Sequence, residues 1–188
     1  DNLAVRLLYA RKLTLVDSVL PGAGGYLLHT IHNPLGDGCN VIMVGASDEQ
    51  GLALATDKFC EAVSSNGKGK NLVLGRVHQV KLDAEMSRRF RNVLRPYPQD
   101  YVEAGLRRGQ ERLDQGTHTS IAGQLAGLGE RYLIGNNPLE AKLFVELWRL
   151  YRKSAVDDPR KFGGAWGFDS DFPSISVVSS WDILEEEP

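Results

Sequence analysis

The chain has 188 residues, 42% of them hydrophobic and 24% charged, with a formal net charge of −2. That content sustains a buried core and excludes a disordered segment, and the length allows one large domain or two small ones. No apolar run approaches the roughly 18 residues of a membrane-spanning helix, so no membrane partner is predicted. The charge is uneven: residues 1–82 sum to +1, residues 83–155 to +3 and residues 156–188 to −6. Neither end is the block of like charge that marks a nucleic-acid-binding tail. The chain opens Asp1-Asn2-Leu3 without a Met and ends Glu185-Glu186-Glu187-Pro188, and the expectation is a piece of a longer polypeptide. Cys39 and Cys60 are too few for a disulfide framework and fit no metal-ligand spacing.

In chain order, Leu3, Leu7 and Leu8 recur at helical spacing over residues 2–11. Leu13–Val16 is a short β-prone run before the turn residues Pro21-Gly22-Ala23-Gly24-Gly25. Tyr26–Ile31 reads as a strand, and Val41–Val44 as a strand covered on both faces because it is continuously apolar. A helix follows over about residues 48–63, with Ser47 and Gln50 spaced as a capping box and Leu52, Ala55, Phe59, Ala62 and Val63 on one apolar stripe. Val73, Val77 and Val80 mark one further strand region. From about Asp83 the period becomes helical throughout. Val102, Leu106 and Leu113 follow the start signal Pro98-Gln99-Asp100, and Ile121, Leu125, Leu128 and Tyr132 form a second helix. Leu139, Leu143, Phe144, Leu147, Trp148 and Tyr151 form a third, opened by Asn137 as cap and Pro138 in the first position. The second and third helices are expected to form a hairpin, and Ile175–Glu187 is expected to be helical around Val178, Trp181, Ile183 and Leu184.

Few of these segments carry chemistry. The turn Gly45-Ala46-Ser47-Asp48-Glu49-Gln50-Gly51 has neither a dinucleotide fingerprint nor a P-loop lysine, and its two carboxylates sit where a phosphate would bind. No cofactor and no metal is therefore expected. His29, His32, His78 and His118 show no shared ligand spacing, and Ser47 stands in no nucleophile motif. The cluster Arg88-Arg89-Phe90-Arg91 with Arg95 is the weaker candidate, for an anion, and nucleic acid is not the expected partner. The stronger local feature is the stretch Trp166 to Phe172, where Trp166 stands beside Asp169 and Asp171, with Trp181 and Asp182 on the next segment. Aromatic faces next to carboxylates suit sugars, whose C–H faces stack on rings while hydroxyls donate to acids.

The stretch from Gly25 through Gly45-Ala46-Ser47-Asp48-Glu49-Gln50-Gly51 to Ala55 and Phe59 resembles the small α/β domains that precede the catalytic domain in large carbohydrate-active enzymes. The stretch from Gly129 through Tyr132, Gly135 and Asn137 to Ala141 resembles the inter-helix turns of α/α-toroid polysaccharide lyases and heparinase-like enzymes. Tyr132 and Ala141 match that turn and Asn137 stands for its capping Asp, whereas Gly129, Gly135, Asn136 and Glu140 depart from it. The resemblance implies an accessory α/β domain joined to the first helices of a toroid, and it assigns no catalytic residue here.

The expectation is an α/β chain: a small three-layer α/β domain over residues 1–82, then an α-helical region over residues 83–188 that begins a larger helical domain. Its expected role is a non-catalytic segment of a multidomain carbohydrate-active enzyme, supporting or bordering a polysaccharide cleft. Trp166, Asp169, Asp171 and Trp181 are its carbohydrate-binding candidates. The competing expectation is a protein-interaction module built on helical hairpins.

Overall fold

A computed structural model describes residues 2–68, 71–72, 74–157 and 171–184. It divides into two compact units, one running to Arg95 and taking in Ile134–Asn136, the other comprising Pro96–Leu133 and continuing from Asn137. The chain combines a small antiparallel sheet with helices, and no described helix is long and apolar enough to cross a membrane.

The first unit opens with helix α1 (Leu3–Ala10), whose first turn is capped by the Asn2 side chain accepting from the Ala4 N–H at 2.9 Å. Lys12 adopts a left-handed φ of 57°. Its N–H donates to the Tyr9 carbonyl and the Leu13 N–H to the Leu8 carbonyl, the bond pair that closes a helix C-terminus while burying the residue beyond it. This replaces the β-prone reading of Leu13–Val16: Leu13 is buried as the closing residue of a helix end, and residues 13–16 join no strand.

Strands β1 (Tyr26–Ile31), β2 (Val41–Ala46) and β5 (His78–Lys81) form one antiparallel sheet in the order β2-β1-β5. Tyr26 pairs with Ala46 on one side and Lys81 on the other, and His29 with Met43 and His78. The sheet centre is β1, and it is β1 that is buried along nearly its whole length. The continuously apolar β2 is an edge strand whose residues are mostly half-buried, so its apolar run does not mark a doubly covered strand. Strands β3 (Gly67–Lys68) and β4 (Asn71–Leu72) pair with each other in a separate two-stranded sheet.

Helix α2 (Glu49–Asn66) packs Ala55 and Phe59 onto Tyr26, Leu28, Ile42 and Val44. Its cap is Asp48, whose carboxylate accepts from the Gly51 N–H at 2.7 Å. Ser47 is not that cap, because its hydroxyl is turned to the Gly22 N–H at 3.1 Å. Leu52 is not on the buried stripe either, being 47% exposed. Gly51 takes the inward place, since a Cβ there would lie 2.1 Å from the Gly25 carbonyl oxygen. Helices α3 (Ala84–Arg89), capped by Asp83, and α4 (Arg91–Leu94) complete the unit and carry the Arg88–Arg91 cluster.

The second unit is helical: α5 (Tyr101–Asp114), α6 (His118–Gly135), α7 (Pro138–Asp157) and α8 (Asp171–Leu184). The Asn137 side chain accepts from the Leu139 N–H at 3.0 Å, so α7 begins where the Asn-Pro signal places it. Leu113, Ile121, Leu125, Leu128, Tyr132, Leu143, Phe144 and Leu147 form one core. Glycines set the closest approaches: a Cβ on Gly105 would lie 2.6 Å from Leu143 Cδ1, and one on Gly109 2.5 Å from Leu147 Cδ1. The contacts advance in the same direction along both helices, so α5 and α7 run parallel. Likewise Gly129 of α6 accepts Ser180 of α8, whose hydroxyl donates to the Ala126 carbonyl at 2.7 Å. The helix expected around Val178, Trp181, Ile183 and Leu184 is present; Ser176, Val177, Ser180 and Leu184 are buried, and Val178 is 60% and Trp181 43% exposed.

Candidate functional site

Of the four residues expected to meet sugar, Trp166 and Asp169 lie outside the described residues. Asp171 is the first residue of α8, with its side chain outside the described part. Trp181 lies nearly three turns along the same helix, exposed, its ring centroid 6.1 Å from that of the buried Phe144 at an angle of 58°. The indole thus meets a core ring at a tilt and stays partly open to solvent, leaving aromatic surface available to a ligand.

The most organised polar group is one the local sequence did not reveal. Glu140, in the first turn of α7, is fully buried. One carboxylate oxygen accepts from the Tyr97 hydroxyl and from Arg131 Nε at 3.0 Å. The other accepts from the Tyr101 hydroxyl at 2.9 Å and from Arg131 Nη2 at 3.3 Å. The two phenol rings stack with centroids 4.3 Å apart. An ionised carboxylate accepts hydrogen bonds only, and here each oxygen holds one phenol and one guanidinium nitrogen, so the group is saturated. The signal was present: Glu140 stands three, four and seven residues before Leu143, Phe144 and Leu147, a charge on the apolar stripe itself. Its partners lie 43, 39 and 9 residues away and follow no local period.

The electrostatics decide what this cluster does. Burial, then the bond to Glu140, pushes the Tyr97 phenol well above its ordinary range. Burial, with the Glu140 charge and hydrogen bond, pushes Tyr101 up to about 12. A general base works best with a pKa near the operating pH, and both phenols move away from it. Their protons are committed to Glu140. The cluster is a clamp joining the start of α5, the last turns of α6 and the first turn of α7, and it offers no reactive phenolate.

In the first unit the glycine-rich turn is filled from within. The Gly22 N–H donates to Ser47 Oγ, the Ala23 N–H to Asp83 Oδ2 at 3.1 Å and the Gly24 N–H to Asp48 Oδ2 at 2.8 Å. Bonds from the Gly51 and Gly24 N–H groups hold the Asp48 carboxyl below its usual range. The N–H groups that could cradle a phosphate already hold two carboxylates and a hydroxyl. His29 is 2% exposed, its Nε2 3.1 Å from the Leu13 carbonyl and its Nδ1 without a hydrogen-bond partner among the described residues. Its cross-strand neighbour His78 has its ring centroid 6.1 Å away, a pairing the chain spacing did not show. Burial foremost, with the positive charge of His78 and Arg76 adding to it, lowers the His29 imidazole to about 4 against the Leu13 bond that favours its protonation. No group of three or more metal-ligating side chains occurs among the described residues, and Cys39 and Cys60 are free and exposed.

On the surface of the second unit, a shallow groove of about 440 Å³ lies between α5 and α7, lined by Leu106, Arg107, Gln110, Glu146, Arg149, Leu150 and Lys153. Arg149 bonds Glu146 at 2.7 Å. No protein family, curated protein or solved structure matches the chain.

Proposed function

We propose that the chain is a non-catalytic accessory segment of a multidomain carbohydrate-active enzyme, bordering a polysaccharide cleft, with Trp181 as an exposed sugar-stacking side chain. The observation that carries this reading is the packing of alternate helices. Helix α5 lies beside α7 in parallel through Gly105 and Gly109, and α6 meets α8 through Gly129 and Ser180. Hairpins stacked in an array place helix i against helix i+2 in this way, forming two layers that further helices can extend. That is the arrangement an α/α-toroid needs at its start, in accord with the resemblance of the α6–α7 turn. The non-catalytic part of the reading is supported by the clamp, whose carboxylate is saturated with hydrogen bonds and whose two phenols are raised above their ordinary range.

The first unit fits a three-layer α/β domain by the alternation of β1. Tyr26 and Leu28 meet α2 on one face, while His29 reaches Leu13 on the other and a Cβ on Gly45 of β2 would meet Val16.

The test is calorimetric titration of the whole chain with neutral and uronate-bearing oligosaccharides, beside the Trp181→Ala variant. Binding weakened about tenfold by the variant, with unchanged circular dichroism, is the expected result, since loss of an aromatic stacking contact is worth about 0.5–1.5 kcal/mol beyond its buried area. Binding that is absent, or indifferent to Trp181, removes the sugar-contacting role.

A further inference from the structure

The groove between α5 and α7 carries a function separate from sugar contact. Its floor is aliphatic, made by Leu106 and Leu150, and its rim holds three cations, Arg107, Arg149 and Lys153, against one acid, Glu146. The single acid is engaged by Arg149. Among the described residues Arg107 and Lys153 have no ion pair, so two cations face solvent beside an apolar floor. The surface has a reason to persist in this form: Gly105 and Gly109 seat α5 on the Leu143 and Leu147 side chains, and the residues one step on, Leu106 and Gln110, line the groove.

We propose that this groove is a docking site for an acidic peptide segment of a partner protein, one that places an apolar side chain on Leu106 and Leu150 and carboxylates against Arg107, Arg149 and Lys153. Charge complementarity selects an anionic occupant. The floor selects a peptide over an acidic polysaccharide, because sugars seat on aromatic faces and no aromatic residue lines the groove. The volume of about 440 Å³ suits one or two anchoring side chains in an open cleft. Unpaired rim cations steer an acidic partner and fix its register, and the aliphatic floor supplies the anchor.

The experiment uses the whole chain and fluorescence anisotropy with a labelled eight-residue peptide of alternating glutamate and leucine. Two competitors are an octamer of glutamate alone and a galacturonate oligomer of equal charge. The expected result is saturable binding of the mixed peptide that weakens at least about tenfold in the Arg107→Glu/Lys153→Glu variant and weakens as salt rises. Both substituted residues are exposed, and circular dichroism confirms that the variant folds. A second variant, Arg108→Glu, reverses an exposed charge on α5 outside the groove lining and leaves peptide binding unchanged. Competition by glutamate alone that equals the mixed peptide overturns the role of the floor and with it the proposal. Competition by the galacturonate oligomer at equal strength assigns the groove to polysaccharide and overturns the peptide reading. Absence of binding, or binding indifferent to the double reversal, overturns the site altogether.

Discussion

Acidification should destabilise the first unit through His29, by an amount the structure sets. The imidazole is 2% exposed and its pKa is lowered from 6.5 to about 4, chiefly by burial. The unfolded chain therefore binds a proton that the folded chain refuses, and stability rises with pH between the two values. The contribution is intact above about pH 6.5 and lost as pH falls toward 4, below which no more is lost. At the limit the loss is about 3.4 kcal/mol, from 1.36 kcal/mol per pKa unit; between pH 7.5 and pH 5 it is about 2 kcal/mol. Arg76 and His78 act in the same direction, since a charged His29 would sit against both. Strands β1, β2 and β5 contain no tryptophan, so tryptophan fluorescence does not isolate the sheet. Urea unfolding followed by the amide signals of Leu28 and Val44 does. His29→Gln removes the titration while keeping a donor near the Leu13 carbonyl, and its midpoint should depend less on pH by that 2 kcal/mol. An equal pH slope in the variant, or an imidazole proton signal titrating near 6.5 in the wild type, refutes the reasoning.

Glu140→Ala leaves Arg131 and two phenols without their common acceptor, and removing one partner of a buried pair costs about 3–5 kcal/mol, which chemical unfolding of the helical unit measures. A loss below about 1 kcal/mol would mean the clamp contributes little. Two glycine-to-alanine changes should separate spacer from filler. Gly123→Ala on α6, exposed with open space around its missing Cβ, gains the full helix preference of about 1 kcal/mol. Gly109→Ala has its Cβ 2.5 Å from a buried leucine methyl, and overpacking of about 1–3 kcal/mol offsets or exceeds that gain. Thermal unfolding should rank Gly123→Ala above wild type and Gly109→Ala below Gly123→Ala; equal gains would show that α5 and α7 have room to separate.

What the sequence disclosed was local. Asn137-Pro138 marked the start of α7 because cap and first-turn proline act within three residues, and the stripe Leu143, Phe144, Leu147, Tyr151 is the observed core face. Errors arose where a neighbour far along the chain decides. Val41–Val44 is as apolar as a central strand, yet β5 joins the free side of β1 and leaves β2 at the edge. Asp48 and Ser47 are both good caps, and the choice between them fell to Gly22, which takes the serine hydroxyl 25 residues away. On α8, the apolar residues located the helix but not its buried face, because the glycine at position 129 seats the small Ser180 while Val178 and Trp181 stay exposed.

Glu140 links these observations to the architecture. It is one of four positions where the α6–α7 turn departs from the toroid pattern, and it is the residue on which Tyr97, Tyr101 and Arg131 converge. A fully buried carboxylate is tolerable only when its charge and both oxygens are matched. Its presence therefore requires α5, α6 and α7 to meet at one end in a fixed register. Tyr101 and Glu140 fix the beginnings of α5 and α7, and Gly105 and Gly109 carry that parallel register forward onto Leu143 and Leu147. Polar specificity at one end and close backbone approach along the seam thus define a single helical layer. A substitution at Glu140 should accordingly alter the α5–α7 groove as well as stability, even though Glu140 does not line it.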